Sequence, residues 1–218
     1  MTGNPPRKTY QEGCIAAHAL DYLGDRWALL VIRELLLGPK RFGVIRAGLP
    51  GISANVLTQR LEELEAAGVL QRRTLPDPAL VQVYELTPPG LAVRPVIDAL
   101  CRWGAGFPGH DPRRFISPTA LMLSMAAMVD PAADSGLTAG FRLGAECFSG
   151  RVRQGRFEVR RSGAPEGAVR FDGPANAVAA AIYRPRPLAE TLAETQVGFS
   201  GAMAEGQRFV DHFHLRRG

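Results

Sequence analysis

The chain has 218 residues, 46% of them apolar and 22% charged, with 26 Lys and Arg against 21 Asp and Glu. That length suits one large domain or two small ones, and the apolar share supplies a packed core, which excludes a disordered chain and a coiled rod. A formal charge of +5 permits a polyanionic partner without requiring one. The basic excess is spread over both halves, and Lys8 and Lys40 are the only lysines, which reads as coding bias more than as a binding tail. Cys14, Cys101 and Cys147 are far apart and form no CxxC, so no disulfide framework is expected and a reducing compartment is. "MTGNPPRKTYQEG" lacks the apolar core of a signal peptide, and no apolar run approaches the roughly 18 residues of a membrane span. A soluble, cytoplasmic protein without a membrane partner is the expectation.

In chain order, "CIAAHALDYLG" has helical spacing with Gly24 as its stop. "DRWALLVIRELLLG" is a second helix, with Asp25 as N-cap and apolar residues on most sides, so it should be central and buried. "KRFGVIRAGLPG" is a short third helix with Phe42, Ile45 and Leu49 on one side. Ser53 caps a fourth that runs to about Ala67. After Gly68 the period changes to two: "LQRRTL" and "VQVYEL" read as a β-hairpin with "PDPA" as its turn. "TPPGLAVRPVIDALCRWG" returns to helix, and Pro95 predicts a kink or a late start. The Gly- and Pro-rich residues 105–118 read as a linker. That divides the chain into 1–104, the linker, and 119–218. Beyond it come an apolar helix ("TALMLSMAAMV") and four strand-like runs ("LTAGFRLG", "CFSGRVRQ", "RFEVRRSG", "AVRFDG"). Two helices ("PANAVAAAIY", "RPLAETLAE") and a final helix or strand, "AEGQRFVDHFHL", complete the chain.

Short helices, a turn, a longer capped helix and a hairpin form the order of a winged helix-turn-helix, whose second helix of the pair enters the DNA major groove. On the fourth helix, Leu57, Leu61 and Leu64 share one face, Asn55 and Gln59 lie nearly opposite, and Thr58 sits on a flank. Asn and Gln can hold adenine bidentately. Glu62, Glu63 and Glu65 come only in later turns, where acid need not meet a phosphate. A polar helix face is ordinarily just solvated; the order of elements and the flanking basic residues argue for more. Lys40, Arg41 and Arg46 before the helix and Arg72 and Arg73 at the wing base would neutralise phosphates. Ser53 stands at the helix start, and Arg60 faces the core flank, where a phosphate or an intramolecular partner is expected.

The stretches "LGDRWALLVIRELLLG", "KRFGVIRAGLPGISANVLTQRLEELEAAGVLQRR" and "YELTPPGLAVRPVIDALCRWG" resemble, in this order over residues 14 to 104, the HxlR-type family of winged-helix regulators, relatives of the MarR group. The resemblance implies a homodimer that binds a double-stranded operator and controls transcription, most simply as a repressor, with the helices near 14–23 and 89–103 joining the protomers. Two departures stand out. The family often begins with Cys-Pro where this chain has Cys14-Ile15, and the wing lacks paired prolines near its tip. Some relatives sense oxidants through the cysteine that Cys14 matches. Burial is the commoner fate of a free cysteine, and no Lys or Arg nearby in sequence would lower its pKa.

The last hundred residues weakly resemble the sterol-carrier-protein-2-like fold, through "AVRFDGPANAVAAAIYRPRPLAETL" and "VGFSGAMAEGQRFVDHFHL". The fold class expected is α+β: a winged helix followed by a smaller sheet-and-helix domain. That resemblance implies an apolar pocket for a small hydrophobic or aromatic effector. Leu121, Met125, Phe141, Phe148, Phe157, Ile182, Leu192, Phe199 and Met203 are the candidate lining, although plain core is the commoner role for each. "HFH" at His212–His214 supplies too few ligands for a metal, and no GxSxG, P-loop or GxGxxG follows a strand. No catalytic residue, metal or cofactor is assigned. The rival readings are a redox sensor acting through Cys14, a winged helix used for protein docking, and an enzyme in the second domain with the winged helix serving dimerisation, against which the absence of a nucleophile, metal cluster or cofactor loop speaks.

Overall fold

The structure is a computed structural model that describes residues 9–76 and 80–215. The chain divides into two compact units, one ending at Val93 and the other beginning at Arg94.

The first unit opens with α1 (Ile15–Leu23), α2 (Ala28–Leu35), α3 (Phe42–Ala47) and α4 (Ala54–Ala66). The strands β1 (Leu70–Leu75) and β2 (Val81–Leu86) come next, then a single turn, α5 (Pro88–Leu91). Asp25 does not cap α2; its carboxylate accepts the Trp27 N–H at 3.2 Å in the turn before the helix, which starts at Ala28. Ala28, Val31, Ile32 and Leu35 of α2 are buried against Ile45, Leu49, Leu57, Leu61 and Leu64. Each of these large side chains contributes about 1.5–3 kcal/mol on burial. The hairpin pairs Leu70 with Leu86 through to Leu75 with Val81. Asp77, Pro78 and Ala79 of the expected "PDPA" turn lie outside the described residues. A bridge from Lys40 to Tyr84 fastens the approach to α3 onto the wing, with N–H···O distances of 3.0 and 2.8 Å.

The second unit begins with α6 (Arg94–Gly106), a late start that matches the position of Pro95. The sequence pattern joins this helix to the winged helix and ends that domain at 104. In the single chain α6 packs on α7 (Pro118–Met128), so its contacts place it in the second unit. The unit continues with β3 (Thr138–Leu143), β4 (Glu146–Arg153), β5 (Arg156–Ser162), β6 (Val169–Asp172), α8 (Ala175–Tyr183) and α9 (Leu188–Glu194). It ends with β7 (Gly198–Ser200) and α10 (Met203–Val210). The sheet order is β5-β4-β3-β6-β7, with only β3 and β6 parallel. β7 is three residues long, too short for a period of two to show in the sequence. "VDHFHL" is not a strand: α10 ends at Val210, and Phe213 makes a lone bridge to Val129.

One sheet face forms the core. Phe141 stacks on Phe171 with centroids 5.5 Å apart, and Phe209 of α10 sits 6.1 Å from Phe141 and 5.9 Å from Phe157. Phe213 closes the cluster at 5.3 Å from Phe157. Such offset and edge-on pairs add about 0.5–1.5 kcal/mol each beyond burial.

Candidate nucleic-acid interface

Ser53 starts α4: its Oγ accepts the Val56 N–H at 3.2 Å, satisfying one of the free donors of the first turn. With Leu57, Leu61 and Leu64 anchored inside, Asn55, Thr58 and Gln59 are exposed, as the helical wheel requires. Gln59 Nε2 donates to Glu63 Oε1 at 2.9 Å. The amide of Gln59 is therefore already oriented in the free protein, and must leave Glu63 to reach a base edge.

The expected arginines divide into three kinds. Arg41 and Arg46 are exposed and, among the described residues, form no ion pair. Arg72 and Arg73 are exposed but neutralised, by Glu65 at 2.8 Å and Glu85 at 3.1 Å. As successive strand residues they also stand on opposite faces of the hairpin, so they cannot address one duplex side by side. Arg60 is turned inward, pairing with Asp25 at 3.3 Å and with Glu63, which ties α4 to the turn before α2. Its Nε is buried without a partner. Of the two destinations expected for Arg60, the intramolecular one is occupied.

Lys40 corrects the expectation of a surface cation. It is 3% exposed, and its Nζ lies 3.0 Å from the fully buried Glu34 Oε2, so it has no surface to give a phosphate. Glu34 Oε1 also receives Arg33 at 2.9 Å. A Cβ on Gly48, just after α3, would lie 2.5 Å from Glu34 Oε2, so only glycine lets this carboxylate approach the end of α3. This buried cluster holds α2, α3 and the wing together. The sequence hides it, because Glu34 falls within a helix that reads as apolar on most sides.

Cys14 is exposed, against the expectation that a free cysteine is buried. It precedes α1, and the Ala17 N–H, then the Ala16 N–H, lower its thiol from the ordinary cysteine value. The helix start does here what no neighbouring Lys or Arg does.

The candidate ligand residues are mostly core. Leu121, Met125, Phe141, Phe148, Phe157 and Ile182 are buried. Leu192 and Phe199 are half-buried and Met203 is exposed.

Residues 22–111 match the HxlR-like helix-turn-helix family. The HTH-type transcriptional regulator YvaP of Bacillus subtilis is 40% identical over 85 residues, which is 39% of this chain and 79% of YvaP. The chain belongs to the HxlR-like helix-turn-helix family. It is accordingly a transcriptional regulator of HxlR type, and its relatives carry names of regulators and not of enzymes. The regulator sll1512 of Synechocystis is 39% identical over 93 residues, covering 42% of this chain and 68% of sll1512. Reduced YodB of B. subtilis, a solved structure, is 36% identical over 45% of this chain and all of YodB, with a TM-score of 0.40. The HxlR-like match runs through α6, so the family's stretch crosses the division between the two units. Among the described residues no helix is long and apolar enough to cross a membrane.

Proposed function

We propose that the protein binds a double-stranded operator as a homodimer and represses transcription from it. The observation that carries this reading is the outward face of α4: Asn55, Thr58 and Gln59 exposed, uncharged and hydrogen-bonding, above three buried leucines. Asn55 and Gln59 would read base edges, Thr58 would support them, and Ser53 with Arg41 and Arg46 would fix the register on phosphates. Dimerisation is supported by α6, where Val96, Leu100 and Trp103 are exposed at helical spacing and Trp103 stacks at 4.8 Å on Phe107, which is exposed just past the helix. Two protomers would then address half-sites about 34–36 Å apart. The test is a gel shift with the DNA upstream of the protein's own coding region, beside sedimentation of the parent and Trp103→Glu. Specific retardation by the parent, and a monomeric variant that no longer retards, are expected. Equal affinity for operator and random duplex would overturn the reading.

An effector would enter the second unit where the core meets solvent, at Leu192, Phe199 and Met203, since the remaining candidates are already packed. A thermal-shift screen of the full chain with aromatic and aliphatic compounds tests this. A ligand at 100 times its Kd stabilises by about 2.7 kcal/mol. A second reading, redox control through Cys14, is favoured by its exposure and lowered thiol. Diamide treatment that releases DNA from the parent but not from Cys14→Ser would support it.

A further inference from the structure

We propose that the open face of the five-stranded sheet is a second surface for duplex backbone, where Arg151, Arg153, Arg156 and Arg170 take phosphates. The inference rests on the reading of the chain as a DNA-binding regulator.

Strand alternation sorts the sheet. Phe141, Phe148, Val152, Phe157 and Phe171 point into the core, so their neighbours along each strand point the other way. Those outward residues include Arg142, Arg151, Arg153, Arg156, Arg160 and Arg170, all exposed. Residues 163–168 cross this side above Gly140 and Ser149: Ser149 Oγ accepts the Glu166 N–H at 3.0 Å, and a Cβ on Gly140 would lie 2.6 Å from the Pro165 carbonyl carbon. Arg160 pairs with Glu166 of this segment and Arg170 is the strand neighbour of Gly140 beside it, while Arg151, Arg153 and Arg156 occupy the end of β4 and β5 beyond Ser149.

The charges on this face do not balance. Asp172 pairs with Arg142 at 3.3 Å, and Glu166 with Arg160 at 2.7 Å. Glu158, opposite Arg151, is the remaining carboxylate on these strands' outward side, and among the described residues Arg151, Arg153, Arg156 and Arg170 form no ion pair. Arg153 and Arg156 are directly opposite each other across a two-residue turn, with Gln154 at φ 49° and Gly155 at φ 68°. The turn cannot splay them, because Asp134 Oδ1 accepts the Gln154 N–H at 3.0 Å and Ala133 O accepts the Gly155 N–H at 2.6 Å. Like charges opposed in this way destabilise a sheet, so folding alone does not account for the pair. On the winged helix, by contrast, Arg60, Arg72 and Arg73 are neutralised by the chain's own carboxylates.

The chemistry of the face selects its occupant. Guanidinium forks match phosphate oxygens bidentately. Arg151 and Arg153 are about 6.6–6.8 Å apart along β4 by strand geometry. The outward strand residues include no aromatic ring on which unpaired bases could stack and no large aliphatic side chain to enter a bilayer. A backbone read without its bases, as on a duplex, is what remains.

The test measures full-length protein binding a short random-sequence duplex by fluorescence anisotropy, from about 50 to 200 mM salt. Each lost phosphate contact flattens the log K against log salt slope by about 0.9, so the Arg151→Gln, Arg153→Gln, Arg156→Gln triple variant should flatten it by up to about 2.7. Glu158→Gln should tighten binding at low salt. A triple variant that keeps its circular dichroism and the parental slope overturns the face alone; a parent that binds no duplex overturns the DNA-binding reading with it. Should the triple variant melt early, Arg170→Gln repeats the test from another strand, with a change of about 0.9 expected and an unchanged slope refuting the face. Loss of binding to phosphatidylserine vesicles with an unchanged duplex slope would also overturn the proposal, by assigning the face to a membrane surface.

Discussion

Lys40 Nζ meets Glu34 Oε2 at 3.0 Å, and both side chains are sealed from solvent. Glu34 sits on α2, and Lys40 leads into α3 while its backbone is paired with Tyr84 of the wing. The three parts of the DNA-binding unit thus share one buried charge cluster. Removing one member strands the other, at a cost of about 3–5 kcal/mol, whereas apolar replacement of both is often neutral. Lys40→Ala should therefore lower the urea midpoint strongly, and Glu34→Leu with Lys40→Met should recover most of the loss, because Arg33 can turn towards water. A Lys40→Ala variant with the parental midpoint and slope would show that the pair does not hold the unit together.

Gln59 and Arg73 should fail in different ways. Gln59→Ala removes an amide that can pair bidentately with adenine, so operator affinity should fall by about 1–3 kcal/mol while random-duplex affinity holds. On the proposed reading Arg73 would leave Glu85 for a phosphate, so Arg73→Ala should weaken all duplexes alike and flatten the salt slope by at most about 0.9. Competition binding with both duplexes reads the two effects separately. If the two variants lose operator and random duplex in the same proportion, the assignment of Gln59 to base edges is wrong.

The helices of the first unit were legible because leucines at three- and four-residue spacing fix which side of α4 is buried, and Ser53 marks where it starts. The outward position of Asn55, Thr58 and Gln59 comes from the same geometry. What the sequence concealed depends on contacts between distant segments. Lys40 reads as a surface cation beside Arg41 until the fold brings Glu34 against it. Arg72 and Arg73 read as free until Glu65 and Glu85 arrive from a helix and a neighbouring strand. The phenylalanines of the second unit could line a cavity or pack on one another, and only the fold brings the rings within 5.1–6.2 Å of each other.

Cys14 should be the first thiol to react. It is exposed, and the amide N–H groups of Ala17 and Ala16 favour its thiolate, whereas Cys147 is buried and Cys101 half-buried. Titration with an aromatic disulfide reagent near neutral pH should show one fast phase, and Cys14→Ser should lack it. A fast phase that survives in Cys14→Ser would place the reactive thiol elsewhere and remove the basis for redox control at this residue.

The end of the chain carries a pH dependence of its own. Burial holds the His212 imidazole below its ordinary value, and His214 adds to the lowering, while Asp130 and Asp211 oppose it. Its Nε2 lies 3.0 Å from Ser135 Oγ, and its backbone carbonyl accepts the Asp130 N–H at 2.8 Å, so the residue joins the end of α10 to the loop before β3. As pH falls below the ordinary histidine value of about 6.5, the unfolded chain takes up the proton before the native one does. His212 therefore subtracts stability as pH drops from there through its lower native value, then levels off; above neutrality it has no effect. Melting temperatures of the parent and His212→Gln, compared at pH 7.5 and pH 5, should show the parent losing more on acidification. The backbone bond to Asp130 survives in the variant, so the comparison isolates the ring. Equal losses in the two proteins would mean that the imidazole takes its proton equally well folded and unfolded.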